Sequence, residues 1–169
     1  VLQQANLRKN ITEEEAESQG FLMAEYDLPF LTLLQSSSPG IIAKDGDRVV
    51  AYSLVALPDT ARRHALLADL VENIERCLFE GKPVENYAIV AQLCVSKEYR
   101  GQDLVQRLYA AFRDHYAGRY DFCVTDVAQA NARSLKAHQK RGFQVIDTLN
   151  YGGIAWDIVL WDWNKKSAS

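Results

Sequence analysis

Apolar and polar residues change their spacing several times along this chain, and each change marks an element. Residues 12–19 (Thr-Glu-Glu-Glu-Ala-Glu-Ser-Gln) predict a short helix, with Thr12 as N-cap, Glu15 as its capping-box partner and Gly20 as the stop. Residues 28–35 read as one or two further helical turns and 36–40 as loop. Two β-prone runs, 41–44 and 48–57, flank Asp45-Gly46-Asp47, the strongest hairpin signal in the chain. Pro58 ends the second run. Across 60–79, Leu67, Leu70, Val71, Ile74, Cys77 and Leu78 recur at helical spacing, and Gly81 and Pro83 stop the pattern. Residues 87–95 are almost continuously apolar, as for a central strand buried on both faces. Leu104, Leu108, Ala111, Phe112 and His115 trace one side of the next helix. A short buried strand follows at 122–127, then a helix at 131–141 ended by Gly142. Strands at 143–149 and 154–163 complete the chain, joined through Tyr151-Gly152-Gly153. The order α-α-β-β-α-β-α-β-α-β-β predicts an α/β (α+β) fold with helices packed on one sheet.

Composition narrows the class. A length of 169 residues suits one domain, 1–169, with a real core. With 48% apolar and 24% charged residues, the chain reads as soluble and globular. A net charge of only -3 gives no basic footprint for nucleic acid and no polybasic membrane patch. Cys77, Cys94 and Cys123 lie in apolar runs, odd in number and without metal-cluster spacing. They read as buried, reduced thiols, with no metal site. No signal peptide and no membrane-length apolar run is visible, so a cytoplasmic location is expected.

Two stretches carry candidate chemistry. The first, 99–105 (Tyr-Arg-Gly-Gln-Asp-Leu-Val), lies where the buried strand turns into a helix. A helix N-terminus offers unpaired N–H groups and the positive end of the macrodipole. Arg100 adds a cation, and Gly101 lets the backbone approach a ligand. By itself the segment is equally an ordinary turn with an exposed Arg. The second stretch places Asn131, Ser134 or Leu135, and His138 three and four residues apart on one helix face, followed by Lys140, Gly142 and Phe143.

Together these stretches resemble the acyl-coenzyme A site of the GNAT N-acetyltransferases. That family carries Arg/Gln-x-x-Gly-x-Gly/Ala at the first position. Arg100, Gly101 and Gln102 match, whereas Asp103 stands for the usual Gly and Val105 for Gly or Ala. The second family pattern, Asn-x-x-Ser/Ala-x-x-x-Tyr/His-x-Lys-x-Gly-Phe, is followed closely by residues 131–143. The likeness implies a mixed, mostly antiparallel sheet flanked by helices, with an extra helix between strands three and four. It implies acetyl-CoA as co-substrate, held by Leu93, Cys94 and Val95 on a splayed strand end, by Arg100, Gly101, Gln102, Asp103, Leu104 and Val105, and by Asn131, Ser134 and His138. Asp103 would cap the helix but repel a diphosphate, and Val105 would narrow the approach, so coenzyme affinity below that of a fully matching loop is expected.

The likeness further implies direct attack of a primary amine on the thioester. The acceptor is a small-molecule or peptide amine, near Glu25, Tyr26, Asp27, Asp126 and the 151–153 loop. Glu25 or Asp126 would serve as base, the Val95 N–H as oxyanion donor, and His138 or a water as proton donor to the thiolate. Cys94 reads as a packed residue rather than an acyl carrier. Arg62, Arg63 and His64, at the start of the extra helix, read as solvated ends or as partners of an acidic substrate. Trp156, Trp161 and Trp163 read as core or as the surface of a homodimer. The rival readings are a non-catalytic acyl-CoA-binding module and an interaction domain that has lost the coenzyme.

Overall fold

A computed structural model describes residues 1–165. Six strands form the main sheet in the order β1-β2-β5-β6-β8-β7. β1 (Ile41–Asp45) and β2 (Arg48–Ala56) are the predicted hairpin, with Asp45 opposite Arg48. β5 (Tyr87–Val95) is central and β6 (Phe122–Ala128) runs parallel to it; β8 (Ile154–Asp162) and the edge strand β7 (Gln144–Tyr151) add antiparallel. All pairings but β5–β6 are antiparallel.

Alternation along the central strands divides two cores. Ile89, Val124, Ile158 and Leu160 face one side, against α3 (Leu28–Ser37) and α5 (Ala65–Ile74). Ala88, Val90, Cys123, Val127 and Val159 face the other, against α6 (Leu104–Tyr116). A continuous apolar run is what a strand covered on both faces requires. Leu67, Leu70, Val71 and Ile74 are at most 1% exposed, each contributing about 1.5–3 kcal/mol. Trp156 joins the first core, and Trp161 and Trp163 the second.

Several elements depart from the pattern read in the sequence. α1 (Leu2–Asn6) and a 3-10 turn at Arg8–Asn10 precede α2 (Glu13–Gln19). Thr12 caps α2 by accepting from the Glu15 N–H at 3.2 Å, but the Glu15 carboxylate pairs with Lys97 instead of closing a capping box. α3 runs on through Ser37, started by Asp27, whose carboxylate accepts from the Phe30 N–H.

The single helix read over 60–79 is two. Pro58, at the first helical position, opens α4 (Pro58–Ala61), and extended backbone at His64 then interrupts the helix. The break packs the His64 ring against Tyr26 and Phe30 and rotates α5 onto the sheet. Leu78 leaves the helix, 62% exposed, in a small hairpin of β3 (Leu78–Phe79) and β4 (Lys82–Pro83). By chain order this insertion falls between the second and third strands of the main sheet. On α6 the buried stripe is Leu104, Leu108, Tyr109, Phe112 and Tyr116, one step round from the expected face; Ala111 and His115 are exposed. α7 (Ala132–Arg141) ends at Gly142, whose φ of +111° closes the helix. No helix among the described residues is long and apolar enough to cross a membrane.

Candidate active site

β5 and β6 pair only from Tyr87–Ile89 with Phe122–Val124. Beyond that, the Thr125 hydroxyl donates to the Val90 carbonyl at 2.7 Å and the strands separate. The register fixes what β5 offers to the gap. The Ser96 N–H donates to the Val50 carbonyl, so Ala51 and Val95 are a pair that exchanges no hydrogen bond. Leu93 and Val95 therefore turn N–H and C=O away from β2, toward the open side. Val95 O accepts from Arg100 Nε at 3.4 Å, while its N–H stays free. Cys94 faces β2 with its backbone, and burial pushes its thiol up to about 11, which keeps it protonated.

A cavity of about 440 Å³ fills the gap. At one end it meets the turn before α6. The first hydrogen bond of that helix runs from the Arg107 N–H to the Asp103 carbonyl, so the N–H groups of residues 101–106 have no backbone acceptor. They form a cradle at a helix N-terminus, suited to an anion. Gly101 has φ +79° and open space where a Cβ would stand. Asp103, at φ +61°, holds the left-handed geometry that Gly adopts without strain.

Asp103 does occupy the N-cap position, but its side chain makes no capping hydrogen bond. Its carboxylate lies 3.7 Å from Lys140 Nζ, which offsets its charge at the cradle. Val105 and Leu104 line the cavity; Gln102 turns its side chain out to the Glu98 carbonyl. The Arg100 guanidinium hydrogen-bonds the Asn6 side chain, a contact from α1 that the sequence did not announce.

Asn131 lines the cavity midway, and both ends of its amide are engaged. Oδ1 accepts from the Ser134 N–H at 3.4 Å, and Nδ2 donates to the Phe21 carbonyl at 3.1 Å. It thereby ties α7 to the extended segment after α2. Ser134 lies one turn on, also on the cavity wall.

His138 lines the cavity but is buried, and both its ring nitrogens are engaged. Nδ1 lies 2.7 Å from the Ser134 carbonyl, which can only accept, so Nδ1 carries the proton. Nε2 then accepts from the Tyr109 hydroxyl at 2.6 Å. Burial holds the ring's pKa down at about 4, so it is neutral near pH 7. With both nitrogens satisfied by protein, His138 braces α7 on α6.

Of the residues expected near the amine, Asp27 caps α3 and does not line the cavity, and the other three separate. Glu25 is exposed, held by Lys9 and Gln4, and does not line the cavity. Tyr26 lines it but is buried, its hydroxyl given to the Ala91 carbonyl at 2.8 Å. Asp126 stays in play. Asp126 is half-buried and lines the cavity, and its Oδ2 is closed off from solvent with no hydrogen-bond partner among the described residues. Burial pushes the Asp126 carboxyl up to about 7, opposed by a backbone hydrogen bond and helped by the negative charge of Asp69 on α5. Gly152 and Gly153 form the β7–β8 turn outside this wall, whereas Trp156 and Leu66 line it. Arg62 pairs with Glu75, Arg63 is exposed and His64 is tucked behind Tyr26, so they form no joint anion site.

No curated protein matches the sequence. Solved structures share the fold at low identity. The ribosomal-protein-S18-alanine N-acetyltransferase from Escherichia coli is 14% identical, with a TM-score of 0.59 over 91% of this chain and 86% of its own. The NatC complex bound to Gag peptide and CoA is 10% identical at 0.60, over 89% and 87%. The yncA protein of Salmonella typhimurium, solved with acetyl-CoA, is 14% identical at 0.51, over 77% and 67%. The sequence model of the acetyltransferase (GNAT) family matches residues 6–143, a span that takes in both the anion cradle and α7, and this chain belongs to that family.

Proposed function

We propose that the protein transfers an acetyl group from acetyl-CoA to a primary amine by direct attack. The observation that carries this reading is that one cavity joins a free strand edge and an anion cradle to Asp126, a half-buried carboxyl with one oxygen closed off from solvent and without a partner among the described residues. The N–H groups of residues 101–106 suit the pyrophosphate, with Arg100 and Lys140 as nearby cations. Leu93 and Val95 suit the amides of the pantetheine arm, which pairs with them as an added strand. Asn131 and Ser134 flank that arm. A coenzyme amide competes with Phe21 for the Asn131 side chain.

Asp126 is the base. A carboxyl titrating at about 7 is half ionised near neutral pH and accepts a proton from the incoming ammonium. The amine nitrogen then bonds to the thioester carbonyl carbon, and the Val95 N–H steadies the developing oxyanion. The C–S bond breaks, and the second proton that the nitrogen sheds reaches the departing thiolate through a water. Calorimetric titration with acetyl-CoA, followed by thiol release over an amine panel, tests the reading. Saturable binding with turnover is the expected result, and no binding at millimolar coenzyme overturns it.

A further inference from the structure

Arg100 precedes the anion cradle directly, and its partners are all neutral. The side chain is half-buried and lines the cavity. Nε donates to the Val95 carbonyl at 3.4 Å, and Nη2 donates to Oδ1 of Asn6. No carboxylate pairs with Arg100 among the described residues. Glu15, whose charge reaches it, is held by Lys97. A guanidinium kept partly out of water and given only neutral acceptors retains its positive charge for an anion.

Asn6 is fixed for that contact from several sides. It ends α1, lines the same cavity and is 4% exposed. Its Nδ2 donates to the Leu2 carbonyl at 2.8 Å, which can only accept, so Oδ1 is the end turned to Arg100. Its own carbonyl accepts from the Leu22 N–H, and the Arg8 N–H donates to Leu22 O. On the same helix, the Gln3 amide takes both the N–H and the C=O of Tyr26. The 22–26 segment is held in turn on β5, where Gln92 donates to Ala24 O and the Tyr26 hydroxyl to Ala91 O. A buried amide anchored in this way keeps the guanidinium in one place. The rotamer freedom an arginine loses on meeting an anion is then lost before the anion arrives. An aspartate in place of Asn6 would also accept from Arg100, but it would cancel the charge. The amide orients the cation without neutralising it.

We propose that Asn6 is a positioning residue for the coenzyme: it holds the Arg100 guanidinium beside the cradle with its charge unspent, so that the pyrophosphate meets a cation already in place. This rests on the coenzyme occupying the cradle. Asn6 lies 94 positions before Arg100 and outside both motif stretches, so only the packing of α1 brings it to the site.

The test is calorimetric titration of the full chain with acetyl-CoA. The parent, Asn6→Ala, Asn6→Asp, Arg100→Gln and each Asn6 variant combined with Arg100→Gln are compared. Asn6→Ala is expected to weaken binding by roughly 5- to 20-fold, and Asn6→Asp by at least as much, because an ion pair replaces the free cation. Raising NaCl should narrow the gap between the parent and Asn6→Asp, since the lost attraction is one of charge. With Arg100→Gln in place, either Asn6 change is expected to move Kd by less than about twofold, because the group it positions is gone. Urea midpoints identify any variant that fails to fold, and the other Asn6 variant then decides. A merely structural Asn6 predicts a penalty that ignores Arg100 and is milder for the isosteric Asp than for Ala. Either of those results overturns the proposal, as does an Asn6→Asp protein that binds acetyl-CoA as tightly as the parent. No binding by the parent itself removes the coenzyme site, and this proposal with it.

Discussion

Replacing Asp126 with Asn tests the base through two readouts with opposite signs. Folding moves the carboxyl from 3.8 to about 7. At about 1.4 kcal/mol for each pKa unit, the full shift corresponds to roughly 4 kcal/mol. The sign follows from proton binding. Between these two values the native state holds the proton more tightly than the unfolded chain. Stability from this group is therefore complete below pH 3.8 and is lost as pH rises through about 7. An Asn amide carries no charge to desolvate, so Asp126→Asn matches the parent below about pH 4 and draws ahead as pH rises to about 7, where the gain levels off. The expected gain is about 2–4 kcal/mol, at the lower end because the amide also lacks a partner. Urea midpoints measured from pH 4.5 to 8.5 give the first readout. Initial rates of thiol release give the second: kcat/KM should fall by roughly 10²–10⁴ and lose its acid limb near pH 7. Parallel stability curves for the two proteins, or an acid limb that persists in the variant, would refute a buried, titrating base at this position.

Other substitutions probe the neighbours. Asp69→Asn removes a negative charge that raises Asp126, so the acid limb of kcat/KM should move to lower pH while its plateau stays. Asp103→Gly relieves a left-handed residue and clears a carboxylate from the cradle; thermal unfolding should show a gain of about 0.5–1 kcal/mol, and calorimetry a several-fold tighter acetyl-CoA complex. Tyr109→Phe leaves His138 Nε2 without its donor, lowering stability by about 1–3 kcal/mol in urea, with an unshifted pH–rate profile, as the proposed supply of the thiolate's proton by water requires. Gly20→Ala sets a Cβ 2.9 Å from Asn131 Oδ1 at a φ of +75°; more than about 1 kcal/mol of stability should be lost, and KM for the amine should rise as the 21–26 segment shifts.

What the sequence made legible follows from the range of the interactions involved. The β1–β2 hairpin, the buried run of β5 and the Gly142 stop of α7 each rest on a few neighbouring residues, so spacing alone revealed them. The break at 62–64 does not, because it is set by where the His64 ring meets Tyr26 and Phe30, residues more than thirty positions away. The same limit explains the site. A motif position indicates where a backbone runs, as it does for Gly101 and Asn131. It does not indicate what a side chain there has already bonded. His138 matches its pattern, yet Tyr109 and the Ser134 carbonyl take both its nitrogens. Tyr109 had no place in the predicted stripe. Glu25 and Asp126 looked equivalent as carboxylates near the amine. Lys9 and Gln4 hold the first at the surface, while the second lines the cavity with one oxygen closed off from solvent and without a partner among the described residues. The proposed base is thus set apart from a surface acid by unmet hydrogen bonding. That property belongs to the packing of the surrounding elements, and among the described residues Asp126 alone combines it with a place on the wall of this cavity.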